Sequence, residues 1–231
     1  MTDPRLYIFP HAGGSPSFYV PFSKAFTSGI KRVAVQYPGM QNGQTAIPGI
    51  QSLAERLYGV LAKAPAGPVA FFGHSMGALV AFEVARRFES AGNPIRALFV
   101  SACAAPGRMK SEYFRELSDD DLMKFLIEIS GTDPRLLDNT ELVDMILPAL
   151  RGYYNAIAGY TCPDAVTVCC PIYAFAGTDD GLATDESMAG WSAHSTAGFA
   201  LRVFPGNHFY FAEHISELVA EVETKFGGQR V

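Results

Sequence analysis

The stretch VAFFGHSMGALVAFEVAR, residues 69–86, contains two kinds of local pattern joined by a serine turn. Val69–Phe72 is a short apolar run with the length and composition of a buried strand. After the turn, Leu79, Phe82 and Arg86 stand three and four apart, with Ala78, Ala81 and Ala85 beside them. That is a helical period, and Gly92 stops it. Between the two lies Gly73-His74-Ser75-Met76-Gly77, a G-x-S-x-G turn with a strand before it and a helix after it. Such a turn holds its serine in a strained conformation. The residues two positions to either side approach other backbone, so Cβ atoms there would clash. The N-terminus of the following helix is aimed at the hydroxyl, and its free N–H groups and dipole favour negative charge. Without these flanks the pattern would be an ordinary glycine-rich turn. With them, Ser75 is a candidate nucleophile.

Outward from this turn, apolar runs alternate with helix-period segments. The runs are Leu6–Phe9, Arg32–Tyr37, Val69–Phe72, Ala97–Val100, Ile172–Ala176 and Ala200–Phe204. The helical segments lie near Pro16–Phe26, around Ile50–Leu61, after Ser75, and from about Phe209 to Phe226. Alternation of this kind predicts an α/β fold, a mostly parallel central sheet covered by helices on both faces. The interval 106–161 breaks the rhythm. It contains no strand pattern, but LSDDDLMKFLIEIS reads as a helix capped by Ser118 with acids in its first turn. A second helix, NTELVDMILPALRGYYNAIAGY, is expected to be interrupted at Pro148. The whole chain, 1–231, therefore reads as one domain, and 106–161 as a helical lid inserted within it.

A reactive serine needs a base, and the base needs a group to orient it. In sheets of the α/β-hydrolase fold these follow the nucleophile in the order Ser, Asp or Glu, His. The fifth run ends in AFAGTDDG and supplies Asp179 and Asp180; the sixth ends in FPGNHFYF and supplies His208. All three groups then fall at strand carboxyl ends. Asp180 is preferred, because Gly-x-x-Asp leaves room for a turn before the acid; the other aspartate is a turn former. His74 sits inside the elbow and cannot turn back on its neighbour, and His194 and His214 read as surface or packing residues. A second glycine cluster, FPHAGGS at 9–15, follows the first run. It is placed to give one backbone N–H of an oxyanion hole, Ala12, with Met76 giving the other. No Lys-Ser or Lys-Thr follows those glycines and no G-x-G-x-x-G occurs, so a phosphate loop is not indicated.

Composition bounds the partners. With 48% hydrophobic and 18% charged residues, the 231-residue chain can bury one sizeable core. A net charge of −5 argues against binding nucleic acid through phosphate neutralisation. The N-terminus lacks the pattern of a secretory signal, and no run is long and apolar enough for a membrane span. Cys103, Cys162, Cys169 and Cys170 fit no zinc spacing and read as thiols of a reducing cytoplasm.

The ensemble of FPHAGGS (9–15), YPG (37–39), GHSMGALVAFEVAR (73–86), LPALRGYY (147–154), GTDD (177–180) and PGNHFYF (205–211) resembles the type II, or editing, thioesterases of polyketide and nonribosomal peptide synthesis, within the α/β-hydrolases. The resemblance covers nearly the whole chain. It implies hydrolysis of acyl or aminoacyl thioesters carried on the phosphopantetheine arm of an acyl or peptidyl carrier protein. It also implies a lid that gates an acyl chamber. No metal or soluble cofactor is expected, the pantetheine being part of the substrate, and the expected state is a monomer. Met109, Phe114, Leu122, Phe125, Ile146 and Tyr153 in the insertion are candidate chamber residues, with packing of the insertion itself as the alternative for each. Arg108, Lys110, Arg115 and Lys124 offer positive charge to an acidic carrier, or simply face solvent. A small-molecule esterase or acyltransferase of the same fold, and a non-catalytic carrier-binding scaffold, remain open at this point.

Overall fold

A computed structural model describes residues 3–37, 49–109, 113–130, 135, 138–163 and 165–227. Pro38 and Gly39 of the YPG motif, and Lys110, lie outside the described residues. Six strands form one sheet: β1 Arg5–Phe9, β2 Lys31–Ala34, β3 Val69–His74, β4 Ala97–Ser101, β5 Ile172–Gly177 and β6 Phe199–Phe204. Their order is β2-β1-β3-β4-β5-β6, and every neighbouring pair is parallel. The interior strands β1 and β4 are buried at every position, and β3 at all but its first. This is why their sequences are continuous apolar runs rather than alternating ones. The edge strands β2 and β6 alternate between exposed and partly buried residues along most of their length.

Alternate residues serve the two faces. Leu6 and Ile8 of β1 join Ala70, Phe72 and Phe99 in a core closed by Phe22 of α1 (Val20–Lys24) and Leu218, Val219 and Val222 of α8 (Ile215–Val222). Tyr7 and Phe9 point the other way, with Phe71, Leu98 and Val100, into a larger core. That core takes in α2 (Ile50–Leu61), α3 (Met76–Ser90) and residues Met188 and Trp191 in and after α7 (Asp185–Ala189). Helix α3 is buried on every face over Met76–Ala85, where its sequence is apolar except for Glu83, and charged residues gather in its last turns.

Three further helices fall between β4 and β5: α4 Tyr113–Glu116, α5 Asp119–Ser130 and α6 Thr140–Ala158. Ser118 Oγ accepts the Asp121 N–H at 3.1 Å, the expected cap of α5. Helix α6 departs from expectation, because it runs through Pro148 without a break. A proline inside a helix costs about 3 kcal/mol. Burial of Leu150, Tyr153, Tyr154 and Ile157 against the larger core, at roughly 1.5–3 kcal/mol for a large side chain, offsets that cost. The segment after α6 is tied down by Tyr160, whose hydroxyl donates to the buried Glu83 carboxylate of α3 at 3.0 Å. The same carboxylate pairs with Arg86 and Arg87. The C-terminal helical segment is also more broken than its periodicity suggests: a 3₁₀ turn at Tyr210–Ala212, then α8, then a π turn at Glu223–Gly227. Among the described residues no helix is long and apolar enough to cross a membrane.

Candidate active site

The strand order reverses direction between β1 and β3: β2 lies on one side, and β4, β5 and β6 on the other. Loops leaving the carboxyl ends of β1 and β3 diverge there and leave a crevice, the usual ligand position in open parallel sheets. Ser75 is the first residue after β3 and stands in this crevice with φ 54 and ψ −127. That left-handed φ is uncommon for a residue with a side chain. Gly73 and Gly77 make it feasible. A Cβ at Gly77 would run into the Phe9 and Pro10 carbonyl oxygens, and one at Gly73 into the Gly77 carbonyl and Ala78 Cα. The elbow is therefore wedged between β1 and its own helix.

Asp180 and His208 arrive from the ends of β5 and β6. Asp180 Oδ2 lies 2.9 Å from His208 Nδ1, and the two side chains are buried. Asp180 Oδ1 accepts the N–H groups of Leu182 at 3.0 Å and Ala183 at 3.3 Å, which fix its rotamer. Asp179 is exposed; its backbone N–H donates to the Gly206 carbonyl and ties the β5 turn to the His208 loop. With Nδ1 engaged by the carboxylate, Nε2 is the ring nitrogen left to serve a nucleophile. Ser75 and His208 line the same cavity. Among the described residues Ser75 Oγ forms no hydrogen bond with a protein group, and it meets His208 as a fellow lining residue of this cavity.

Two more histidines flank His208. His74 is fully buried, its ring centroid 5.3 Å from that of His208, and its pKa is well below the ordinary value through burial and then the neighbouring His208 and His11. His11 is lowered to about 3, again by burial first and His208 second. Burial therefore favours the neutral form of both rings. His11 also braces the β1 loop, its Nδ1 2.8 Å from the Tyr19 hydroxyl. His194 packs on Phe82 and Trp191, and His214 lies 3.1 Å from Glu217, matching the packing and surface roles expected of them.

Neither the Ala12 nor the Met76 N–H has a protein acceptor among the described residues. Met76 opens α3, where free N–H groups are inherent, and lines the cavity; Ala12 is buried in the β1 loop and is not part of the lining. The cavity, about 190 Å³, is apolar around Leu79, Met109, Phe114, Tyr154, Ile157 and Leu182 and polar at Ser75, Arg108, Thr184 and His208. Of the chamber candidates, Met109 and Phe114 line it. Phe125 stacks behind Phe114 and Tyr154, Ile146 packs on the outer core, and Tyr153 turns toward Tyr37. The correction is one of helix phase. Tyr154 and Ile157, three apart, share the cavity face of α6, and Tyr153 is rotated off it. Arg108 lines the cavity, Arg115 is exposed, and Lys124 pairs with Asp121. No cluster of three metal-binding side chains occurs among the described residues.

The model of the thioesterase-domain family matches residues 4–226. Thioesterase TesA of Mycobacterium leprae is 47% identical over 228 residues, covering 97% of this chain and 87% of that protein. Among solved structures, the type II thioesterase BorB from the borrelidin biosynthetic cluster superposes with TM-score 0.86 at 41% identity, over 97% of this chain and 93% of that one. The RedJ thioesterase from the prodiginine biosynthetic pathway in Streptomyces coelicolor gives TM-score 0.88 at 31% identity, over 97% and 94%.

Proposed function

The chain belongs to the thioesterase-domain family and is a thioester hydrolase of the α/β-hydrolase fold; from that premise we propose that it clears acyl or aminoacyl groups from carrier-protein phosphopantetheine arms by a Ser75–His208–Asp180 mechanism. The observation that carries this reading is the buried Asp180–His208 pair opening onto the cavity that holds Ser75. Similarity to thioesterases of the borrelidin and prodiginine pathways supports the assembly-line setting.

Ser75 Oγ attacks the thioester carbonyl while His208 Nε2 takes its proton. Asp180 holds the ring through Nδ1 and stabilises the imidazolium as it forms. The Met76 and Ala12 N–H groups receive the oxyanion, a contribution of about 2.7–4 kcal/mol for one such donor. The pantetheine sulfur, whose thiol has a pKa of about 8.5, leaves as the tetrahedral intermediate collapses to the acyl–Ser75 ester, and it takes the proton that His208 had removed from Ser75, so the ring is neutral again. Water then attacks that ester with His208 as base, releasing the acid and restoring the hydroxyl. Every step uses protein groups and water, so no cofactor is needed. The helical insertion acts as the lid of the acyl chamber. The chamber volume, below the ~300–1,000 Å³ of drug-sized ligand sites, favours short acyl groups. Arg108 in its lining suits an acidic carrier or its phosphate. The four free thiols suit a reducing cytoplasm.

The test is turnover of a panel of acyl-loaded carriers and matched oxygen esters by the wild type and Ser75→Ala. Thioesters should be preferred. Ser75→Ala should lose on the order of 10⁴-fold or more in kcat while still binding the carrier. Full hydrolysis by Ser75→Ala would overturn the mechanism; a preference for oxygen esters would overturn the substrate class.

A further inference from the structure

A buried chain of side chains beneath the site joins the two loops that must meet for catalysis. Ser101, the last residue of β4, is fully buried, and both of its oxygens are engaged. Its carbonyl accepts the Ser75 N–H at 2.8 Å. Its Oγ lies 2.9 Å from His74 Nδ1 and 2.7 Å from the Tyr210 hydroxyl. His74 is the residue before the candidate nucleophile, and Tyr210 is two residues after the candidate base. Tyr210 is itself buried, stacked on Phe204 at the end of β6, with its N–H donated to the Asn207 carbonyl. The residue after Ser101, Ala102, lines the cavity with φ 49, an uncommon conformation for a residue with a side chain.

We propose that Ser101 and Tyr210, with His74, are positioning residues that lock the His208 loop to the Ser75 elbow. This rests on the Ser75–His208 reading above. Asp180 fixes the imidazole against β5, but that bond does not hold it against β3, where the nucleophile stands. The Tyr210–Ser101–His74 chain supplies the missing constraint from beneath. All three members are buried, so water cannot replace a lost partner cheaply, and the constraint is stiff. Misplacement of a reacting group by about 1 Å costs on the order of 10²-fold in rate, so a stiff support is a rate determinant even though none of the three is placed to contact the thioester.

The experiment compares Tyr210→Phe, Ser101→Ala and the double variant with the wild-type chain in turnover of an acyl-loaded carrier, and in labelling of Ser75 by a fluorophosphonate. Thermal melts accompany each measurement. The expected result is a kcat lowered about 10- to 100-fold by each single substitution, with KM within about twofold. Labelling should slow in parallel, and the double variant should be no worse than the poorer single one, because both break the same chain. Unchanged kcat, equal effects on kcat and KM, or single effects that multiply in the double variant would each overturn the proposal. Tyr210→Phe removes one oxygen and keeps the ring, so it remains a test if Ser101→Ala does not fold. Loss of the fold in both would assign the chain to stability alone and also overturn it. Ser75→Ala, run alongside, separates the two readings: if it retains labelling and turnover, the underlying mechanism fails whatever the positioning variants do.

Discussion

The rim of the sheet and the helical insertion are held together by different physics. At the rim, polar groups are buried and mostly paired, His74 Nε2 excepted: Asp180 takes His208 Nδ1 and two backbone N–H groups, and Ser101 takes His74, Tyr210 and the Ser75 N–H. Among the described residues of the insertion, the ion pairs are exposed. Arg151 reaches Asp119 with the carboxylate 60% exposed, and Lys124 reaches Asp121 with both partners more than half exposed. Exposed pairs contribute roughly 0–1 kcal/mol, whereas a buried charged group stripped of its partner costs several. The insertion is instead joined to the body by apolar packing through Phe114, Leu122, Leu150 and Ile157, and by the Tyr160–Glu83 anchor at its end. Apolar packing is not directional and tolerates volume-conserving change; a buried hydrogen-bond array tolerates almost none. On the proposed mechanism this is a division of labour, in which the rim positions the reacting groups and the insertion can be retuned for the acyl group.

The sharpest way to break this comparison is to remove charge from one of two adjacent carboxylates. Asp180→Asn should lower kcat by about 10³- to 10⁴-fold with little change in KM, since it disturbs the orientation and charge stabilisation of the His208 ring. Asp179→Asn, on an exposed group, should stay within about twofold, because surface changes away from buried partners are usually near neutral. Steady-state kinetics on an acyl-loaded carrier checks both, and a reversed ranking would transfer the orienting role.

Second in size is pH. His74 is buried and His11 half-buried at the rim, both with pKa values held below the unfolded 6.5, and no histidine occurs in 106–161. Below pH 6.5 the unfolded chain binds protons that the folded one excludes, so stability falls as the pH drops through 6.5 and is flat above it. Each histidine can contribute up to about 1.4 kcal/mol per pH unit, so stability should be measurably lower at pH 5 than at pH 7. Denaturant unfolding at pH 7 and pH 5 measures this; an equal stability at the two pH values would show that the rim is not dry around these rings.

The smallest effect is expected in the insertion. Met109→Ala should leave kcat on short acyl groups nearly unchanged. It should raise the relative kcat/KM for longer chains about tenfold, the usual worth of one or two methylenes of pocket space. A fall in kcat comparable to that of Asp180→Asn would mean the insertion shapes the chemistry too, and would end the contrast.

Much of the rim was legible in the sequence because its signals are local. A strand run, two glycines around a serine, and an acid and a histidine each just past a strand are patterns within ten residues, set by turn sterics and strand period. Helix phase in the insertion was harder to read. Tyr153 and Tyr154 are neighbours of equal character, and only the docking of α6 decides that Tyr154 faces the cavity and Tyr153 faces Tyr37. Pro148 likewise signals a break locally, and the burial of α6 overrides it.

The amino-acid order alone determined an alternating parallel fold, the elbow at Ser75, and the sequence Ser, Asp, His along the chain. Tertiary structure alone decided that Asp180 rather than Asp179 meets His208, and that Ser101, 26 residues after Ser75 and 109 before Tyr210, lies beneath both loops. The physical reason is range. Period and turn chemistry act over a few residues, whereas the meeting of β3, β4 and the β6 loop follows from strand order and register, which no short stretch encodes.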